Sequence, residues 1–418
     1  MKEYSLKYGL SEISFRISDK HEVLTLLPNE LDITVSENDI IKNAIENPIG
    51  CSRLKGVVKP DEKIVIVTSD ITRPMPSYKV LPYILKELRE AEVPDENICI
   101  VLALGSHRSH TEDEKLKLVG DEVFESGIRV IDSDMKNCMR LGKCKNGTPV
   151  DIFNPVVEAD KRICLGNVEY HYFAGYSGGS KALMPGVSSH EAIQANHSNM
   201  VKEGAYAGNL IDNPVRDDIE EITDYISVDF IFNVVLDDKM NIVHAVSGHT
   251  VKAHREACKF LDKLYKVELE KEADIVILSP GGFPKDINIY QSQKGLDNAK
   301  HAIKDGGIII WCASASEGFG EKVFEEWMLT KSPVEMVKEI KTNFRLGGHK
   351  AAAISMIMLK NDIYFVSNLE DEAIKKIHMQ PFDNIQNAID QAIDVMGNQC
   401  NIVIMPAANS TLPYVSKK

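Results

Sequence analysis

The chain has 418 residues, 44% hydrophobic and 26% charged, with 48 basic against 62 acidic side chains and a formal net charge of −14. That length exceeds what a single core ordinarily holds, so an α/β protein of two lobes with an active-site cleft between them is expected. The acidic balance, with no Lys/Arg cluster clear of acidic neighbours, argues against a nucleic-acid partner, and no apolar run approaches the roughly 18 residues of a bilayer-spanning helix.

The opening stretch from Met1 to Leu10 has no apolar core of a secretion signal and alternates as a strand does, which sets the expectation of a cytoplasmic protein. Apolar runs bounded by turn residues then predict strands over Lys63 to Thr68, Ile98 to Ala103, Arg129 to Ile131 and Arg162 to Leu165, with a helix from Tyr78 to Glu92. The pattern restarts after Lys271. Ala273 to Leu278 and Gly307 to Trp311 read as strands around a helix over Ser292 to Lys304. Helices follow near Glu321 to Leu329, Val334 to Thr342 and Asn384 to Val395, and a last strand runs from Asn401 to Met405. Alternating strands and helices predict a mostly parallel sheet in each lobe, with ligands at the carboxyl ends of the strands. The polar stretch at Val267 to Ala273 divides an N-terminal domain, residues 1–270, from a C-terminal one, residues 271–404; residues 405–418 are expected to cross back to the first lobe.

Eight scattered cysteines form no CxxC pair, so neither a zinc ribbon nor a disulfide framework is indicated. The unusual residues lie in four loops that follow predicted strands. Asp70, Thr72 and Arg73 come first; an Arg there can grip a carboxylate with two parallel hydrogen bonds, and the blander alternative is a helix cap with a surface Arg. His107 follows the second strand, where a histidine is as often structural as basic. The densest segment runs from Glu169 through His171, Gly175, Gly178, Gly179 and Lys181 to Gly186, with His197 beyond it. Gly-rich backbone ending in Lys can wrap a phosphate. A Walker loop fails, because Ser180 stands where its second Gly belongs and Ala182 where magnesium requires Ser or Thr. His107, His171 and His197 invite a zinc triad, but no paired His spacing supports it and it leaves Lys181 idle. An amine among glycines can instead hold a cofactor covalently while one imidazole ligates a metal that the cofactor otherwise holds. The fourth loop, Ser279 to Asp286, leads to Tyr290, Gln291 and Lys294 on the first turn of a helix, where the first and last share a face.

At these residues the chain resembles the nickel-dependent lactate racemase family, along most of its length. His171, Lys181 and His197 keep the family's spacings of ten and sixteen residues, and Asp70-x-Thr72-Arg73, Leu104-Gly105-x-His107 and Tyr290-Gln291-x-x-Lys294 occur in the family's order. The resemblance implies a racemase or epimerase that inverts C2 of a 2-hydroxy acid by reversible hydride transfer. Its cofactor would be a nickel-pincer nucleotide, a pyridinium mononucleotide with thioacid groups, bound to Lys181 as a thioamide and cradled by Gly178, Gly179, Asp70 and Thr72. His197 would ligate nickel, His107 and His171 would be the acid/base pair, and Arg73, Lys294, Tyr290 and Gln291 would hold the substrate. Separate biosynthetic proteins would donate the cofactor. Lactate-specific members present a Trp in the second lobe, whereas Phe344 to Lys350 contains none. Arg345, His349 and Lys350 there point to a substrate with a further polar group; the alternatives are lactate racemase proper and a catalytically silent nucleotide-binding protein of the same fold. A conventional NAD-dependent dehydrogenase would need a GxGxxG turn that the sequence lacks.

Overall fold

Ile64–Ser69, Ile98–Ala103 and Lys161–Asn167 are strands buried along almost their whole length, as continuous apolar runs require when both faces of a parallel sheet are covered. The computed structural model describes residues 1–31 and 33–416, which fall into two units: residues 33–262, and residues 1–31 with 263–416.

The first unit holds a six-stranded sheet in the spatial order Ile242–Gly248, Phe230–Leu236, Lys161–Asn167, Ile64–Ser69, Ile98–Ala103, Arg129–Asp132. All neighbours are parallel except the first two. Chain order runs outward in both directions from the Ile64–Ser69 and Lys161–Asn167 pair, which makes their carboxyl ends a topological switch point, the usual ligand crevice of such sheets. The helix Ser77–Glu90 buries Val80, Leu81, Ile84, Leu85 and Leu88, a helical apolar stripe, in one core with Ile64, Ile66, Ile98 and Ile100.

The second unit carries a wholly parallel sheet in the order Gln380–Phe382, Asp362–Val366, Ile303–Cys312, Ala273–Leu278, Asn401–Met405, Glu22–Thr25. Its last strand comes from the start of the chain. The hairpin Lys2–Tyr8 and Ser11–Ile17 adds Leu6, Phe15 and Ile17 to the core formed by Ile275, Ile277, Ile308 and Ile310.

Four expectations are corrected by this arrangement. Residues 1–31 belong with the C-terminal unit, because Glu22–Thr25 finds its ladder partner in Asn401–Met405. The stretch taken as a linker includes a strand, Lys266–Leu269, which pairs with the tail strand Leu412–Val415, so the tail stays within its own unit; Lys417 and Lys418 lie outside the described residues. The division falls between Asp262 and Lys263. The helix expected from Ser292 spans Ile289–Ala299, starting earlier because Asn288 accepts the Gln291 N–H at 2.8 Å. Among the described residues no helix is long and apolar enough to cross a membrane.

Phe15, 3% exposed, tests the placement of the amino terminus. Phe15→Ala should cost about 3–5 kcal/mol and speed amide exchange in Ala273–Leu278 while leaving Ile64–Ser69 protected; the reverse distribution would contradict the division.

Candidate active site

Three loops leave the carboxyl ends of adjacent strands in the first unit. Asp70, 1% exposed, follows the Ile64–Ser69 strand and cannot stay buried without donors. Its Oδ1 accepts from the Thr72 amide at 3.2 Å and the Thr72 hydroxyl at 2.8 Å, and its Oδ2 bonds Nδ1 of His107. Burial raises the Asp70 carboxyl, but the His107 and Thr72 hydrogen bonds and the Arg73 charge outweigh it and hold the group below the usual carboxylate range. The pairing directs a His107 Nδ1 proton at Asp70 and turns Nε2 outward. His110, not singled out in the sequence, braces the same loop: its Nδ1 meets Asp132 at 2.6 Å and its Nε2 accepts the Ile71 N–H at 3.1 Å.

His171 sits on a two-residue hairpin, Tyr170–His171 against Gly175–Tyr176. Gly175 is required there: φ is +76°, and a Cβ would lie 2.0 Å from the Asn209 carbonyl. Tyr170 and Tyr176 tie the hairpin down, both donating to Asp262 Oδ1 at 2.8 and 2.7 Å. His171 Nδ1 accepts the Ala174 N–H at 3.3 Å, so the proton of the neutral ring resides on Nε2, opposite to His107. Burial, followed by the charges of Lys181, His197, Arg73 and Arg216, holds the His171 imidazole well below its ordinary value. Phe173, 2% exposed, packs edge-on against both histidine rings, 4.5 Å from that of His171 and 4.9 Å from that of His197.

His197 lies on the helix His190–Ser198, and its Nδ1 bonds Asn196 Oδ1 at 3.0 Å, which fixes the orientation of the ring. Lys181 lies on a short 3-10 turn, Gly179–Ala182, reached through Gly178 and Gly179 at positive φ. The Gly179 N–H donates to Asn233 Oδ1 at 2.9 Å, and a Cβ on Gly178 would meet that oxygen and Val168 at 2.8 Å. These glycines therefore serve first the close approach of the turn to Asn233, a demand the phosphate-cradle reading did not anticipate. Burial, then Arg73 and Arg216, hold the Lys181 amine well below its ordinary value, against an opposing pull from Glu169. Among the described residues the one cluster of three His, Cys, Asp or Glu donors is Cys144, Asp218 and Glu221, so His107, His171 and His197 do not assemble a three-ligand centre. One amine and one oriented imidazole suit a metal carried mainly by a bound organic group.

The other named residues lie in the second unit. Tyr290, Gln291 and Lys294 occupy the first turns of Ile289–Ala299, and His349 the first turn of Gly348–Met358. Lys350 donates to the Tyr290 carbonyl at 2.6 Å and its Nζ stands 4.1 Å from that ring's centre, while Arg345 pairs with Glu326 at 3.6 Å. His349 is 8% exposed and its Nδ1 accepts the Gly347 N–H at 3.0 Å.

Residues 8–208 match the family model of the lactate racemase N-terminal domain and residues 268–412 that of the lactate racemase C-terminal domain. The lactate racemase of Thermoanaerobacterium thermosaccharolyticum is 34% identical over 99% of this chain and 99% of its own length. That of Lactiplantibacillus plantarum is 31% identical over 97% and 98%. The solved lactate racemase apoprotein from T. thermosaccharolyticum superposes with a TM-score of 0.87 at 33% identity, over 99% of this chain and 100% of that one. A crystal structure of a Thermotoga maritima protein, 16% identical, shares the fold with a TM-score of 0.63 over 92% of this chain and 99% of its own.

Asn233 offers a direct test of the Lys181 turn. Asn233→Ala removes the acceptor of a buried N–H, and should lower stability by about 1–3 kcal/mol in urea denaturation; an unchanged midpoint would mean that the turn does not lean on it.

Proposed function

The chain belongs to the lactate racemase family, racemases and epimerases of 2-hydroxy acids that generally use a nickel-pincer nucleotide, and on that premise we propose that it inverts C2 of a 2-hydroxy acid with such a group linked to Lys181. The observation that carries this reading is the convergence, at the switch point of one sheet, of an Asp70-oriented His107, a buried His171, an amine whose protonation burial and neighbouring cations disfavour, and a histidine oriented by Asn196. Lys181 would hold the nucleotide, delivered by separate biosynthetic proteins, with Asp70, Thr72, Gly178 and Gly179 around it and His197 ligating nickel. When bound, that group supplies a reversible hydride acceptor.

The need for hydride chemistry follows from the substrate. A C–H beside a carboxylate that is already negative is too weakly acidic for an imidazole base, whereas the neighbouring hydroxyl proton is within its reach. His107, whose Nδ1 proton faces Asp70, presents Nε2 as the base for one enantiomer. His171 is the proposed second member of the pair on the opposite face: as the imidazolium it would return a proton to the 2-keto oxygen and revert to the neutral ring, and the roles exchange in the reverse direction. Arg73 would grip the carboxylate, and Lys294, Tyr290 and Gln291 are the substrate residues proposed from the second unit. Arg73 already exerts its charge on Asp70, His171 and Lys181.

For the rest of the substrate the reading narrows to His349. Arg345 pairs with Glu326 and Lys350 with Tyr290, and His349, whose Nδ1 accepts the Gly347 N–H, is the residue proposed to meet a polar substituent on the hydroxy acid.

Peptide mass mapping of active protein should find a nucleotide adduct on Lys181, and active enzyme with that lysine unmodified would overturn the linkage. Racemisation in deuterated water should leave the C2 hydrogen unexchanged, with His107→Ala and His171→Ala each lowering turnover at least about a hundredfold. Across lactate, malate, 2-hydroxyglutarate and gluconate, kcat/KM should favour a substrate with a second polar group, and His349→Ala should erase the preference; lactate as the best substrate would refute it.

A further inference from the structure

The helix Pro214–Glu221 carries a cation for which the reading above has no task. Arg216 is 1% exposed. Its Nε donates to the Ala174 carbonyl at 3.1 Å and its NH2 donates to the Tyr176 carbonyl, the two carbonyls that flank Gly175 where the His171 hairpin turns back. NH1 is buried and has no hydrogen-bond partner. The carboxylate beside it, Glu220, stands 4.0 Å from Nε and is already held by Arg255, whose NH2 donates to both its oxygens at 2.8 Å. A guanidinium keeps its proton even when buried, so this is a fixed positive charge, incompletely answered and screened by little water. The helix packs against the Gly179–Ala182 turn that bears Lys181.

We propose that Arg216 is a positioning residue for the Lys181 linkage: a buried cation that orders the His171 hairpin through two backbone carbonyls and sets the field in which the Lys181 amine reacts. The proposal rests on the reading of Lys181 as the linkage site. An amine forms a covalent bond to an acyl or thioacyl carbon only with its lone pair, so a site built for such a link has to disfavour the ammonium. Arg73, from the loop after Ile64–Ser69, and Arg216, from the helix packed on the turn, both act in that direction, added to burial, and Glu169 opposes them. Arg216 is itself faced by Glu220, Arg255, Cys258 and Tyr176.

The test uses the full chain purified without cofactor and brief pulses of the N-hydroxysuccinimide ester of acetic acid, from about pH 6 to about pH 10. Each event forms one amide bond, releases N-hydroxysuccinimide and takes one proton from the amine. Peptide mass spectrometry reads the labelling of Lys181 against the exposed Lys239. The pH midpoint reports protonation, while the plateau reports access. Wild-type Lys181 should reach its plateau at lower pH than Lys239. Arg216→Gln should move the midpoint up by about one unit, roughly a tenfold loss of labelling at neutral pH. Arg216→Lys, which keeps the charge and loses the fork, should retain the low midpoint, and Glu220→Gln, which touches neither hairpin carbonyl, should move it lower still. Arg216→Lys behaving like Arg216→Gln, or Glu220→Gln leaving the midpoint unmoved, would overturn the proposal, and the Glu220 variant decides alone if the Arg216 variants do not fold. A cofactor adduct found elsewhere than on Lys181 would remove the linkage reading while leaving the action of Arg216 on the amine intact.

Discussion

Asp70 is buried at the end of a parallel strand, and an ionised carboxylate there has to be met by donors. Three answer it: the Thr72 amide, the Thr72 hydroxyl and His107 Nδ1. The first two fold the loop back on itself, which fixes where Arg73 leaves the backbone. The third ties that loop to the one after the neighbouring strand and settles which nitrogen of His107 faces out. The second loop is in turn pinned to the Lys181 segment, since the Gly105 N–H donates to the Gly186 carbonyl at 2.9 Å and Ser133 Oγ, which accepts the Leu104 N–H at 3.0 Å, donates to the same carbonyl at 3.4 Å. One unsatisfied carboxylate would therefore loosen three loops at once, so the geometry of the site and the stability of the sheet's carboxyl edge are a single problem.

The same edge concentrates positive charge. Arg73, Lys181 and Arg216 act on one another or on His171, and Glu169 is the opposing acid that acts on Lys181. In a chain with a net charge of −14 this local excess is a departure that burial makes costly. Burial and the surrounding cations push Lys181 and His171 toward their neutral forms, in which an amine can be acylated and an imidazole can take a proton. An anionic ligand lowers the cost further. Selection for an anionic substrate and for unprotonated nucleophiles thus follows from one arrangement of charges.

Much of this was legible in the sequence because it depends on local pattern. The strands Ile98–Ala103, Ala273–Leu278 and Asn401–Met405 fall where their apolar runs predict, since runs buried on both faces carry their own boundaries. The loops with Asp70, with His107, and with His171 and Lys181, after Ile64–Ser69, Ile98–Ala103 and Lys161–Asn167, followed from strand ends in an α/β sheet. Long-range pairing was not legible: nothing near Glu22–Thr25 or Leu412–Val415 announces that their partners are Asn401–Met405 and Lys266–Leu269. Supporting side chains were missed for the same reason. Arg216 lies 35 residues or more from every motif residue it serves in the His171 to Lys181 segment, and its only local signal is an Arg one turn before Glu220, a common surface pattern. Asn233 and His110 look equally ordinary until their partners are known.

The two histidines are not equivalent, and a racemase constrains what that can mean. In the proposed mechanism His107 has a carboxylate to stabilise the imidazolium it becomes, whereas His171 is buried among positive charges and has only the Ala174 amide at Nδ1. Accepting the hydroxyl proton is therefore disfavoured at His171, and the two directions pass through bound states of unequal energy. For a pair of enantiomers the equilibrium constant is one, so kcat/KM must be equal in the two directions whatever the site looks like. The asymmetry can then appear only as a kcat and a KM that differ between enantiomers by the same factor. For epimers of a larger hydroxy acid the ratio of the two kcat/KM values equals the substrates' own equilibrium constant instead of one, and the Asp70 carboxylate again decides only how that fixed ratio divides between kcat and KM.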